Sequence, residues 1–232
     1  MGSVLEMTAL RVATVALLFL TACSSDAARP DLPLKDMAKA VVQRAFGGGD
    51  PVAAPSAPDA ATVAAGRKLL EEAGKPVILM TDAGTGLAGF MGVLGVNGPV
   101  QTWATPEYLT IGLRDGVLIS TRGFGADLMS SEAPDLAVLR TGNGQYQRRF
   151  FYLDGADQTQ VHDYLCTLHT AGAERLTQLG RAYDTRLVTE KCSGKQGDFE
   201  NRFWFDASGV LRQSSQMRLQ GVENLQLQRI ID

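Results

Sequence analysis

The sequence predicts a mainly β protein, a large curved or barrel-like antiparallel sheet preceded by short N-terminal helices. Three observations carry this expectation. From residue 76 to the end, runs rich in β-branched, aromatic and leucine residues recur at short intervals. They are separated by two-residue turn signals, Asn97-Gly98, Asp115-Gly116, Asp154-Gly155 and Ser208-Gly209. Several runs also alternate, with Leu109, Ile111 and Leu113 on one parity and Phe203 and Phe205 set against Trp204. Alternation of this kind buries one face of an antiparallel sheet and leaves the other wetter.

Taken in order, the chain begins with an export signal. The apolar run 12–20 follows Arg11 and is too short to span a bilayer as a mature helix, but suits the hydrophobic region of a signal peptide. It closes on Leu20-Thr21-Ala22-Cys23, the branched, small, small, cysteine pattern that bacterial signal peptidase II reads. The expectation is a signal peptide over 1–22 and a diacylglycerol thioether on Cys23, with further acyl chains making a firm membrane anchor. Glu6 is out of place in a positively charged leader, so Met7 is an alternative start. Ser24 follows the cysteine where aspartate is the usual inner-membrane retention signal, which favours the periplasmic face of the outer membrane.

Residues 23–33 read as a lipidated tether, small, polar and punctuated by proline. Residues 34–75 read as a helical segment. Leu34, Met37, Val41, Val42 and Phe46 fall near one face of a first helix, stopped by Gly47-Gly48-Gly49. A Pro/Ala linker over 50–57 leads to a second helix over 60–73, carrying Val63, Leu69 and Leu70 and ending at Gly74. Residues 76–232 form the β-rich periplasmic domain, with strands expected at 77–81, 87–96, 108–113, 117–121, 146–153, 161–168, 186–190, 201–206, 210–219 and 225–231. The segment 159–179 reads equally well as a helix.

Composition narrows the partners. The formal net charge is −3 with both signs interspersed. No basic face argues for nucleic acid, and no later stretch suits a transmembrane helix. With Cys23 taken by lipid, Cys166 and Cys192 remain as a pair in an oxidising compartment. A disulfide between them would constrain the unfolded chain by roughly 3 kcal/mol. Two independent buried thiols are the alternative.

Several chemical signals weaken on inspection. Gly84-Thr85-Gly86-Leu87-Ala88-Gly89 fits the dinucleotide-binding glycine pattern, yet 91–96 continues as an alternating strand where that motif needs a helix. No cofactor is therefore expected. His162, Cys166 and His169 have a spacing that converges on a helix and not on a strand; with Cys166 claimed by the expected disulfide and these the only two histidines of the chain, no metal site is expected. No Gly-x-Ser-x-Gly elbow is present. Asp127, Glu132 and Asp135 form an acidic group compatible with glycoside cleavage, but a solvated loop explains them as well.

Two stretches carry a resemblance. Residues 113–129 read Leu-Arg-Asp-Gly-Val-Leu-Ile-Ser-Thr-Arg-Gly-Phe-Gly-Ala-Asp-Leu-Met, and 201–209 read Asn-Arg-Phe-Trp-Phe-Asp-Ala-Ser-Gly, leading into Ser214-Ser215-Gln216. With the lipobox, Trp103 and Glu190-Lys191-Cys192, the chain resembles the YjbF/GfcB family, the group 4 capsule polysaccharide lipoproteins, from about residue 76 to the end. The resemblance implies an outer-membrane lipoprotein encoded among genes for exopolysaccharide or capsule production. It supplies no catalytic residue.

The function expected on this basis is a non-enzymatic accessory in secretion or assembly of an extracellular polysaccharide. Its expected partners are the membrane through Cys23, polysaccharide-export proteins of the outer membrane or periplasm, and the polysaccharide itself. The competing readings are an enzyme that modifies the polymer and a carrier of lipid or lipoprotein with an apolar cavity. Within the signature, Arg122 is suited to gripping a carboxylate or backbone carbonyls, with Asp127 as its natural partner. Their bland role is an ion pair fixing a bend; the alternative is contact with polysaccharide or protein. Trp103 and Trp204 are read as core residues, with stacking on sugar rings as the alternative.

Overall fold

The computed structural model describes residues 60–82, 86–217 and 224–232. All of them belong to one compact unit, Leu32–Asp232. The expected signal peptide, Cys23, tether, first helix and linker lie outside the described residues, as do 83–85 within the glycine-rich turn.

The chain forms helix α1 (Ala60–Ala73) and then strands β1 (Val77–Asp82), β2 (Leu87–Asn97), β3 (Val100–Ala104), β4 (Thr110–Arg114) and β5 (Val117–Arg122). A short β6 (Ser130–Glu132) and helix α2 (Leu136–Thr141) follow. The remainder is β7 (Asn143–Leu153), β8 (Thr159–Gln178), β9 (Arg181–Gly194), β10 (Gly197–Asp206), β11 (Leu211–Gln216) and β12 (Leu225–Ile231). All strands join one 12-stranded sheet in the order β5-β4-β3-β2-β1-β12-β11-β10-β9-β8-β7-β6. Every pairing is antiparallel, including that of β1 with β12. The sheet is thus a meander whose first and last strands pair, rolled into a nearly closed barrel shape with its one seam between β5 and β6.

Local chemistry sets the turns. Asp115 and Gly116 join β4 to β5 with φ of 53° and 88°, the positive values that a two-residue turn needs to match strand twist. Gly116 is also placed where a Cβ would come 2.9 Å from the Leu211 side chain. The 159–179 segment is strand β8, 20 residues long, paired along its length with β9. A register shift between Thr170 and Gly172 interrupts the ladder, and irregularities of this kind bend a strand. Strands β8 and β9 extend well beyond the expected 161–168 and 186–190, because exposed polar residues on their outer halves gave no apolar signal.

Helix α1 has the predicted span, and its buried residues are Arg67 and Leu70. Leu70 is buried against Val77, Phe90 and Ile230, whereas Leu69 is exposed. Arg67 is buried instead. Its guanidinium donates to the carbonyls of Gln178 at 2.7 Å, Leu179 at 2.9 Å and Ile230 at 3.1 Å. One arginine therefore ties the tip of the β8–β9 hairpin and β12 to α1, satisfying carbonyls beyond the ladder.

The inner face of the sheet is filled. One apolar cluster gathers Met80, Met91, Trp103, Ile111, Phe150, Tyr164 and Leu225 with Cys166 and Cys192. A second gathers Val117, Leu139, Leu168, Val188, Phe203, Phe205 and Leu211. On β7, β9 and β10 a polar residue stands between them: Arg148 follows Tyr146 and precedes Phe150, Glu190 divides Val188 from Cys192, and Asn201 divides Phe199 from Phe203.

Candidate functional site

The signature stretch after β5 closes the seam. Residues 123–129 double back so that Thr121 N–H donates to Leu128 O at 2.9 Å and Leu128 N–H donates to Thr121 Oγ1 at 2.9 Å. Ser131 Oγ reaches Leu118 O at 3.1 Å. The side chains that hold this bend do so separately. Asp127 accepts from Thr121 Oγ1 at 2.9 Å, Gly123 N–H at 2.8 Å and Phe124 N–H at 3.1 Å, making an acceptor cradle for the turn. Arg122 donates to the carbonyls of Thr121, Leu128 and Met129. The expected Arg122–Asp127 ion pair is replaced by this division of labour, because the turn's unpaired amides and carbonyls lie closer to each side chain than the opposite charge does.

The other acidic candidates are also engaged apart. Glu132 pairs with Arg149 at 3.5 Å on the surface, and Asp135, exposed at the start of α2, lies 3.8 Å from Arg114. With 159–179 a strand, His162 and Cys166 share one face and His169 points to the other. The three do not converge.

Trp103 and Trp204 are each 6% exposed. Trp103 sits in the first apolar cluster, and Trp204 Nε1 donates to Glu174 Oε2 at 2.9 Å from the opposite face of β10. Neither offers a ring face for a sugar. Cys166 and Cys192 lie directly opposite each other on β8 and β9 and form a disulfide, both buried.

A buried charged cluster joins strands β7, β9 and β10. Arg148 and Glu190 are 1% and 0% exposed, with Nη1 of the first 2.5 Å from Oε2 of the second. Tyr146 donates its hydroxyl to Glu190 Oε1, and Asn201 donates its amide to Oε2. Asn201 Oδ1 in turn accepts from Met217 N–H at 2.6 Å. Burial and the adjoining Glu190 carboxylate push the Tyr146 phenol well above its ordinary pKa, so it stays a donor. The Glu190 carboxylate lies with both cysteine sulfurs inside a 4.8 Å group. Those sulfurs are joined to each other, so no thiolate is free to ligate a metal. Glu190 and Asn201 stand in stretches that carry the family resemblance, but nothing local in the sequence pairs either with Arg148.

The geometry defines a class, a filled twelve-stranded antiparallel barrel-like domain cross-braced by an interior polar layer and a disulfide. The family described as group 4 capsule polysaccharide lipoprotein gfcB, YjbF matches residues 39–230, and the chain belongs to it. The crystal structure of the hypothetical lipoprotein YmcC from Escherichia coli (K12) shares the fold, with a TM-score of 0.64 and 17% identity over 76% of this chain and 97% of that one. No curated protein matches the chain in sequence. No helix among the described residues is long and apolar enough to cross a membrane.

Proposed function

We propose that the protein is an outer-membrane lipoprotein, held to the periplasmic face through Cys23, that serves as a non-enzymatic accessory in export or assembly of a capsule or exopolysaccharide. The family match over residues 39–230 is the observation that carries the process. The buried cluster supports the mechanism: the Glu190 carboxylate is taken up by Arg148, Tyr146 and Asn201, with no exposed surface for a substrate to reach. A carrier function is disfavoured by the filled interior. The cavity beside Ile78, Trp103, Leu113 and Leu227 measures only about 40 Å³, far below the several hundred Å³ typical of a small-molecule site.

The test is complementation of a deletion strain with Asp127→Asn, Glu132→Gln, Asp135→Asn and His162→Gln variants, each checked for normal abundance. The deletion should lower secreted polymer, and every variant should restore it. Removing a general acid or base typically costs about two or more orders of magnitude in rate. A variant present at wild-type level yet as defective as the deletion would therefore establish an enzyme.

A further inference from the structure

Where β9 and the β10–β11 turn meet the end of α2, the surface opens into a shallow, open cleft of about 600 Å³. Arg140, Asp184, Arg186, Asp206 and Ser208 contribute its polar walls. Which of these charges remain available follows from their existing partners. Asp184 is bound by Arg175 at 2.9 Å. Asp206 accepts from Ser208 Oγ at 2.6 Å, Val210 N–H at 3.0 Å and Arg212 Nε at 2.6 Å. Burial alone would raise its carboxyl, but these hydrogen bonds and the Arg212 charge outweigh burial and hold it below the ordinary value.

The two arginines are different. Arg186 donates Nη2 to Arg140 O at 2.6 Å and Nη1 to Thr170 Oγ1 at 3.4 Å, with its guanidinium carbon 5.7 Å from the centre of the Phe205 ring. Those contacts fix its position without neutralising it. Arg140 has no hydrogen-bond or ion-pair partner for its guanidinium among the described residues. It lies across Gly209, where a Cβ would come 3.2 Å from its Cδ and 3.4 Å from its Nε. With φ of 81° at Gly209, glycine is the residue that permits both the turn and this close approach. One cleft thus presents a fixed and a free guanidinium, neither carrying a carboxylate.

The geometry points to a binding site for a carboxylate-bearing saccharide in this cleft. Guanidinium groups bind carboxylates through paired, charge-assisted hydrogen bonds. Ser208 Oγ, which donates to Asp206, keeps its lone pairs as an acceptor for sugar hydroxyls. Phe205 is 1% exposed beneath Arg186, so its ring offers no face to an acyl chain. The choice of a saccharide among anions rests on the export reading above; a phosphorylated headgroup shares the charge chemistry, and the experiment separates the two.

The full-length lipoprotein in detergent micelles is titrated with tetragalacturonate and with neutral maltotetraose, and is tested for retention on phosphatidylglycerol vesicles. Tetragalacturonate is expected to bind at least about tenfold more tightly than maltotetraose, and more weakly as salt rises. Arg140→Gln should weaken it about fivefold or more with the melting temperature unchanged, since no partner is lost, while Arg202→Gln, an exposed guanidinium elsewhere on β10, should stay within about twofold. Equal binding of the two saccharides, indifference to Arg140→Gln, or an Arg140-dependent preference for the vesicles over tetragalacturonate would overturn the site. Failure here with a normal deletion phenotype removes this site alone, whereas saccharide binding with no secretion defect on deletion removes the export reading alone.

Discussion

Replacing Glu190 with leucine removes the acceptor shared by Arg148 Nη1, the Tyr146 hydroxyl and Asn201 Nδ2. The guanidinium left behind is 1% exposed and has no route to water without opening the sheet. Removing one partner of a buried ion pair costs about 3–5 kcal/mol, because the remaining charge is uncompensated. Arg148→Met is expected to cost less, about 2–3 kcal/mol, because Tyr146 and Asn201 still solvate the carboxylate. In the double variant Arg148→Met/Glu190→Leu no charge is stranded, and the remaining cost is two unpaired neutral donors, about 2 kcal/mol. The double variant should therefore be more stable than Glu190→Leu alone, which is opposite to additive behaviour. Urea unfolding of the disulfide-bonded protein reads this through the buried Trp103 and Trp204, provided the m-value is unchanged. A cost for Glu190→Leu below about 1 kcal/mol, or a double variant that sums the two singles, would refute the cross-brace.

Further outcomes follow from other parts of the molecule. Cys23→Ser should abolish incorporation of labelled palmitate; continued labelling would place the anchor elsewhere. Cys166→Ser/Cys192→Ser should lose roughly 3 kcal/mol of stability to urea, the loop-closure contribution of a bridge of this span, and alkylation before reduction should leave both cysteines unlabelled in exported protein. Arg212 bonds Asp206 at 2.6 Å and Asp232 at 2.9 Å; burial opposes ionisation of both carboxyls, but the hydrogen bonds and the charge of Arg212, joined at Asp232 by Arg229, outweigh it and lower both. Groups lowered in the folded state stabilise it above their unfolded pKa of about 3.9 and lose that contribution as pH falls through the lowered folded values. The destabilisation caused by Arg212→Met should thus be full near neutrality and shrink below about pH 4; a constant difference across that window would contradict it.

The sheet was legible because its signals are local. Alternation at Leu109, Ile111 and Leu113 and the Asp115-Gly116 turn depend on residues within a few positions, and so does the span of α1. What was hidden depends on partners far along the chain. Strand β3 (Val100–Ala104) is short and mixed, and β6 (Ser130–Glu132) is polar; both are held by their neighbours in the ladder more than by their own composition. Arg67, with bonds to residues more than a hundred positions away, left no mark in a helical periodicity. The Arg122 and Asp127 positions were visible, yet their actual partners are backbone groups, which no side-chain pairing rule names. Glu190 and Asn201 lie in stretches that carry the family resemblance, but their pairing with Arg148 needs the register of β7, β9 and β10.

The central claim, an accessory of export in place of an enzyme acting on the polymer, is tested most directly by comparing the polysaccharide of deletion and wild-type cells for both amount and structure. The account predicts less polymer outside the deletion cells, with sugar composition, linkages and substituents the same as in wild type. A normal amount of secreted polymer with altered linkages or missing substituents would contradict it and assign the protein to modification of the chain.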